Sequence, residues 1–145
     1  MKSARRRSRE LAVQGLYAWQ LTGEGASGLQ TQLAQSKDFA KADSKYLARL
    51  LEGTIEDAFA LEGIIAPMLD RKPKELSPVE RGILLLAAFE LKNAPDIPFR
   101  VVINEAVELA KEFGGTDGHK YVNGVLDKLV AELRPGERSR QRSSN

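Results

Sequence analysis

The chain has 145 residues, a formal net charge of +2, no cysteine and a single histidine. This length is enough for one domain to bury a core without disulfides, and the composition excludes thiol chemistry and Cys-ligated zinc and nearly excludes a His-based metal site or triad. The longest apolar stretch, around residues 83–89, is too short to span a bilayer. The basic start leads into alternating polar and apolar positions, unlike a secretory signal, so we predict a cytoplasmic protein without membrane association.

The positive charge is concentrated at the two ends of the chain. Residues 1–10 carry a net charge of +4 and residues 134–145 carry +3, whereas residues 11–133 sum to −5. A basic patch on an otherwise acidic body attracts a polyanion to one place and repels it elsewhere.

The first half of the chain shows helical periodicity and no alternating strand pattern of useful length, which predicts an all-α fold. A first helix is expected at about residues 4–22, and a weak helix at residues 27–36. A long helical stretch follows at about residues 43–70, which Gly53 and Pro67 bend or divide. Its predicted inward side chains are Tyr46, Leu47, Leu50, Leu51, Ile55 and Phe59.

The second half begins after a hinge at residues 70–76. Ser77 is a predicted N-cap, followed by Pro78 at the first helical position and Glu80 at the third, and the helix they open should be the central buried one. Two amphipathic helices follow, one at residues 99–113 and a last one capped by Thr116 or Asp117. The polar segment after Pro135, residues 136–145, is predicted to be a disordered basic tail.

The arginine run at residues 5–9 has two readings. It is either a solvated N-terminal turn or a phosphate-binding cluster. Positive charge at a helix N-terminus opposes the helix dipole, so the placement asks for another reason. Tyr17 projects between Arg6 and Glu10 on the helical wheel, away from the apolar face. An outward aromatic in line with an arginine suits base stacking beside a phosphate contact.

A second aromatic among cations lies in residues 117–128, where Tyr121 falls at the edge of the last helix's apolar face near Lys120. Tyr121 is either a second stacking platform or a residue at the rim of the core with its hydroxyl in water. His119 is expected to be a capping or surface residue rather than a catalyst.

No catalytic site is apparent in the sequence. Glu105, Glu108 and Glu112 share the polar face of one helix, where solvation accounts for them. Gly114 and Gly115 stop a helix and do not form a phosphate-binding loop. We therefore predict that the protein is not an enzyme and uses no cofactor and no metal.

Three segments carry a resemblance to the NusB family of bacterial transcription antitermination factors. They read ARRRSRELAVQGLYAWQL, SPVERGILLLAAFEL and IPFRVVINEAVELAKEFGGTDGHKYVNGVLDKL. The similarity spans residues 2 to about 134, in order and with matching spacing. It implies an all-helical domain over residues 1–135, with about seven helices in two packed three-helix subdomains that meet near residue 72, the halves being about 1–72 and 73–135.

The resemblance also implies a function. Members are non-enzymatic adapters that bind the boxA element of nascent ribosomal-operon RNA together with NusE, a small-subunit ribosomal protein, and act with other Nus factors to help RNA polymerase read through terminators. Glu80 falls in the region implied for the NusE contact. The residues implied or inferred for RNA are Arg5, Arg6, Arg7, Arg9, Tyr17, Asp117, Lys120 and Tyr121.

Three features depart from the family pattern: Gly15, Leu85 and the Arg-rich tail. Gly15 costs helix propensity but allows closer helix packing. Two rival functions are disfavoured. An RNA-methylating enzyme would carry this helical domain fused to a methyltransferase domain, and the length of the chain leaves nothing to bind the methyl donor. A protein-binding or membrane-surface module is disfavoured because the first helix has many small residues on its apolar face. The sequence leaves monomer and homodimer open.

Overall fold

The computed structural model describes residues 2–144, with side chains described for residues 2–139. Over this range the chain is all-α, as predicted, with eight α-helices and three short 3₁₀ turns. The chain divides into two compact units, Met1–Phe59 and Ala60–Asn145. None of the helices in the described part of the chain is both long and apolar enough to cross a membrane.

The first unit contains helices α1 (Ala4–Thr22), α2 (Ala26–Leu33) and α3 (Ser44–Glu56), with a 3₁₀ turn at Phe39–Lys41. Ser3 caps α1 by accepting a hydrogen bond from the N–H of Arg6, and Gly23 ends it in the left-handed conformation with φ +74°. Asp43 caps α3 in the same way through the N–H of Tyr46. The three helices contact one another around a core that includes Leu11, Leu16, Leu29, Leu47, Leu50 and Leu51.

Gly15 lies on the buried face of α1, against side chains of α2 and α3. A Cβ built at this position would lie 2.9 Å from Cδ1 of Leu51 and 3.2 Å from Cδ1 of Leu33. A methyl group here would therefore require the ends of these leucine side chains to shift, and the closer packing expected of this glycine stays a prediction.

The second unit is built around helices α5 (Pro78–Asn93), α6 (Phe99–Phe113) and α7 (Gly118–Leu133), which contact one another. Helix α4 (Ala58–Ile65) and 3₁₀ turns at Ala66–Met68 and Pro73–Glu75 precede them. Ser77 caps α5 through the N–H of Glu80, and the residues from Gly82 to Leu91 are all buried, so α5 is the central buried helix that the sequence predicts. Leu85 is part of this apolar core.

The helical stretch predicted at residues 43–70, which Gly53 and Pro67 were expected to bend or divide, is divided at Asp57, and α4 ends at Ile65, before Pro67. The buried residues keep helical spacing across this break, and Phe59 lies off their face and is 94% exposed. The prediction that Phe59 faces inward was therefore wrong. The two compact units meet in the chain at residues 59 and 60, and not near residue 72 as the sequence suggested.

The segment after Arg134 continues as helix α8 (Pro135–Ser144), in place of the disordered tail expected from its polar composition. Its first turn is fastened to the rest of the second unit. Glu137 accepts hydrogen bonds from the N–H of Phe99 at 3.0 Å and from Nη1 of Arg134 at 2.7 Å. The guanidinium of Arg138 donates to the carbonyl of Asp127 at 2.6 Å. These contacts explain why this polar segment is ordered at its start.

Candidate nucleic-acid interface

The N-terminal arginines stand on the first two turns of α1. Arg5 is exposed, Arg6 and Arg7 are half-buried, and Arg7 forms an ion pair with Asp38 at 3.3 Å. No acidic residue lies in the first turn of the helix to offset the helix dipole. A ligand phosphate near this turn would therefore meet both the positive helix end and the arginine side chains.

Arg9 is 4% exposed, so little of its side chain is open to a ligand, and the phosphate contact predicted for it stays a prediction. It precedes Leu16 by seven residues, which places it on the same face of α1 as that fully buried leucine. Its guanidinium lies 5.6 Å from the centroid of the Tyr46 ring. Arg9 therefore contacts Tyr46 on the buried side of α1.

Tyr46 contacts two members of the N-terminal arginine cluster, Arg5 and Arg9. Its ring is 6% exposed, and the guanidinium of Arg5 lies over it at 4.3 Å from the centroid. A cation at this distance from an aromatic face is attracted by the ring quadrupole. From the sequence Tyr46 was expected only to fill the core, since nothing local places Arg5 above its ring.

A hydrogen-bonded link fixes α1 against the start of α3. Oγ of Ser8, which is fully buried, donates to the carbonyl of Asp43 at 2.7 Å and accepts from its N–H at 2.9 Å. Asp43 is the N-cap of α3, and its carboxylate accepts from the N–H of Tyr46 at 3.1 Å. The arginines and the ring beneath Arg5 are therefore held in one geometry by consecutive contacts.

Tyr17 projects outward from α1, as predicted, with 43% of its surface exposed. It follows Arg6 by eleven residues on the same side of the helix, a separation of about 16 Å along the axis. Leu21, one turn further on, is also exposed. The arrangement leaves an aromatic face open to solvent in line with the arginines.

In the second unit, Asp117, Lys120 and Tyr121 lie together at the start of α7. Asp117 occupies the N-cap position in the left-handed conformation with φ +63° and makes no side-chain capping bond. Its exposed carboxylate instead pairs with Nζ of Lys120 at 3.3 Å. Asparagine and aspartate adopt this conformation more readily than other non-glycine residues.

Tyr121 is half-buried and has two partners from the loop after α4. Its hydroxyl donates to Oδ1 of Asp70 at 3.1 Å, and the guanidinium of Arg71 lies over its ring at 4.3 Å from the centroid. Arg71 also donates from Nε to Oδ1 of Asp70 at 2.7 Å. The three side chains form one cluster, which we call the Tyr121 cluster.

Hydrogen bonding and burial shift the pKa values of Asp70 and Tyr121 in this cluster. The hydrogen bond from Arg71 holds the pKa of Asp70 below its usual value, and that from Tyr121 adds to the effect. Partial burial raises the pKa of Tyr121, and its hydrogen bond to Asp70 raises it further. The phenol therefore remains protonated and continues to donate over the whole physiological range.

Glu80 lies beside this cluster. Its carboxylate covers the first residue of α7, since a Cβ on Gly118 would lie 3.0 Å from Oε1 of Glu80. A carboxylate is favourable at a helix N-terminus. The backbone N–H of Glu80 thus donates to the Ser77 cap at the start of α5, and its carboxylate lies against the start of α7.

Within residues 2–139, no group of three or more acidic or histidine side chains is arranged to hold a metal ion. The candidate RNA-binding residues are therefore cations and aromatics on α1 in the first unit and, separately, at the start of α7 in the second.

Comparison with known proteins identifies the family of this chain. Residues 6–131 match the sequence model of the NusB family. The chain is similar to the transcription antitermination protein NusB of Paraburkholderia phytofirmans, with 64% identity over 137 residues, which cover 94% of this chain and 95% of the relative.

Solved structures show the same fold. NusB of T. maritima superposes with a TM-score of 0.78 at 33% identity, covering 91% of this chain and 94% of the other. A chain from a crystal structure of the antitermination factors NusB and NusE in complex with dsRNA gives a TM-score of 0.76 at 26% identity, covering 88% and 96%. The family match, the extent of the identity and the shared fold lead to one conclusion: this chain belongs to the NusB family.

Proposed function

We propose that this protein is a non-enzymatic transcription antitermination factor that binds the boxA element of nascent ribosomal-operon RNA together with NusE. It acts with other Nus factors on RNA polymerase in the cytoplasm, where nascent RNA is made, and promotes read-through of terminators. Its membership in the NusB family supports this function, as do the name of its 64%-identical relative and the RNA complex that contains a structural neighbour.

The observation that carries the proposal is the arginine cluster held by Tyr46. Arg5 lies on the ring of a buried tyrosine, and Arg6 and Arg7 share the same helix start. Arginines that are ordered before binding lose less conformational freedom when they meet phosphates. In this role they supply affinity and position, and they do not themselves read the base sequence.

Base contacts are assigned to the two tyrosines. Tyr17 is open to solvent, whereas Arg71 covers one face of the Tyr121 ring. Single-stranded bases stack on aromatic rings and also on guanidinium planes. The Tyr121 cluster therefore offers a base the exposed part of the half-buried ring or the exposed guanidinium of Arg71, with Lys120 beside it for a phosphate.

Glu80 is proposed as part of the NusE contact. It is half-buried at the junction of α5 and α7, and its carboxylate lies against Gly118. A cationic side chain of a partner would find a fixed carboxylate there, because the helix start at Gly118 restrains it.

The test is a binding titration of the protein with boxA RNA and with a scrambled RNA of equal length, with and without NusE. We expect tighter binding to boxA than to the scrambled RNA, and a further gain when NusE is present. Vesicles of anionic lipid serve as a control for a membrane-surface role. Equal affinity for both RNAs, or retention on the vesicles and not on RNA, would overturn the proposal.

A further inference from the structure

Helices α6 and α7 line an open groove of about 380 Å³ on the surface of the second unit. Cations and hydrogen-bond donors line most of it. The cations are Arg100 and Lys111 from α6 and Lys120 from α7, and the other polar side chains are Asn104, His119 and Asn123. Ile103 and Val107 supply an apolar floor.

The charge of this groove differs from that of the surrounding chain. None of its described lining residues is acidic, although residues 11–133 carry a net charge of −5. Two of the lining cations form ion pairs with carboxylates that do not line the groove. Lys111 pairs with Glu108 at 3.5 Å, and Lys120 pairs with Asp117 at 3.3 Å. Both pairs are well exposed, and exposed pairs of this kind contribute little, so a ligand anion can replace the carboxylates.

The length of the groove favours a chain of anions over a single one. Arg100 and Lys111 are eleven residues apart on α6, which separates them by about 16 Å along the helix. One phosphate ion would reach both only with the two side chains extended toward each other, whereas successive phosphates of an extended strand can contact each of them separately. Asn104 and Asn123 add neutral donors, which commonly accompany arginine and lysine at phosphates.

We propose that the α6–α7 groove binds backbone phosphates of single-stranded RNA and so continues the RNA path beyond the Tyr121 cluster. Lys120 connects the two, because it lines the groove and immediately precedes Tyr121. This inference rests on the proposed RNA-binding function. It adds Arg100, Lys111 and Asn123 to the residues that contact RNA and gives them a role independent of base sequence.

The experiment measures RNA affinity as a function of salt for Arg100→Gln, Lys111→Gln and the double variant, using boxA RNA with its natural flanking nucleotides. Each lost phosphate contact is expected to reduce the salt slope by about 0.7 and to weaken binding about fivefold at 0.1 M salt. The loss should be the same on scrambled RNA, because phosphates carry no base sequence. Lys92→Gln is the matched control, since Lys92 is an exposed lysine on α5 that does not line the groove.

The amide resonances of Asn104 and Asn123 provide a second readout. They should shift when RNA is added to the wild-type protein, and the shifts should be lost in the double variant while its melting temperature is unchanged.

Three outcomes would overturn the groove proposal. If the wild type binds RNA and the double variant matches Lys92→Gln in slope and affinity, the groove is wrong and the proposed function stands. If the double variant loses affinity for NusE and not for RNA, the groove serves a protein partner. If the wild type binds no RNA, the proposed function and the groove fail together.

Discussion

The guanidinium of Arg71 lies over the ring of Tyr121 at 4.3 Å, and Asp70 joins the two by accepting hydrogen bonds from both. A residue from the loop after α4 thereby restrains an aromatic at the start of α7. Of the two interpretations of Tyr121 left open by its position on the helix, the structure supports a place at the rim of the core, with the hydroxyl on Asp70 rather than in water, and the stacking role stays a prediction. It packs at the rim of the second unit, and its ring is held in a fixed orientation.

Tyr17→Ala and Tyr121→Ala should each weaken boxA RNA binding about fivefold or more, because stacking a base on an aromatic contributes roughly 1 to 3 kcal/mol. The salt slope should not change, since stacking releases no counterions. Tyr→Phe at either position keeps the ring and should bind nearly normally. Fluorescence titrations at several salt concentrations measure all of these quantities.

Leu21→Ala is the control for Tyr17, because Leu21 is an exposed apolar residue one turn further along α1 that cannot stack as a ring. It should bind RNA as the wild type does. Alanine at either tyrosine should cost folding less than about 1.5 kcal/mol, below the range for a fully buried aromatic. A tyrosine variant that loses several kcal/mol of stability and still binds RNA normally would assign that tyrosine to the core alone.

The pKa of Tyr121 supplies a prediction about pH. It is raised by burial and by the hydrogen bond to Asp70, so Tyr121 should titrate above the ordinary tyrosine value of about 10. Because the folded state holds this proton more tightly, the associated stability is complete below the unfolded pKa and is lost as pH rises through the folded pKa. The difference in tyrosinate absorbance between wild type and Tyr121→Phe isolates this titration.

Asp70→Asn tests the contribution of Asp70 to the raised pKa of Tyr121. It removes a charge that opposes ionisation of the phenol and should therefore lower the pKa of Tyr121 relative to the wild type. An unchanged titration would show that Asp70 does not interact with Tyr121 in solution.

Glu80→Gln should weaken NusE binding while RNA binding by the protein alone changes little. The substitution removes the charge and retains a similar shape over Gly118, and Ser77 still caps α5 through the backbone N–H of residue 80. Calorimetry with NusE measures the effect. Glu75→Gln, at an exposed acid just before α5, is the matched control. A sharp fall in melting temperature with NusE affinity intact would make Glu80 a structural residue only.

Arg134→Met should destabilise the protein by about 3 kcal/mol or more, because buried acceptors would lose their donor. Arg134 is 8% exposed and donates to the carbonyls of Leu91 at 2.9 Å, Ala94 at 2.9 Å and Ile97 at 2.8 Å. Lysine lacks the planar fork that reaches several acceptors, so Arg134→Lys should restore little. Urea denaturation gives the free energies of unfolding.

Arg138→Met is the comparison variant. Arg138 lies at the start of α8, but its side chain is more exposed than that of Arg134 and it bonds to Asp127. Its loss should cost less than about 1 kcal/mol. Equal effects of the two substitutions would contradict the special role assigned to Arg134.

The sequence predicted those parts of the fold that depend on local periodicity and capping. Helix α5 begins at Pro78 after the Ser77 cap, and α6 covers Phe99–Phe113 as expected. The family resemblance to NusB was confirmed by the comparisons. The outward projection of Tyr17 was also correct, because the face of a single helix follows from residue spacing.

Features that depend on contacts between distant segments could not be predicted. The end of α3 at Asp57 was missed, and Phe59, which helical spacing places off the buried face, was wrongly assigned to the core. The burial of Arg9 against Tyr46 requires knowing that α3 packs beneath α1. The pairing of Arg71 with Tyr121 has no local signal either, because a loop residue and a helix start meet only in the folded unit.

The most direct test of the RNA-binding account compares the salt dependence of boxA RNA binding in the wild type and in Arg5→Gln/Arg6→Gln/Arg7→Gln. Each arginine that contacts a phosphate of single-stranded RNA contributes about −0.7 to the slope of log K against log salt, so the triple variant should have a slope shallower by about 2. Circular dichroism should show α1 intact, because Ser8 and Asp43 still join it to α3. An unchanged slope in a folded triple variant would contradict the assignment of the arginine cluster to the RNA.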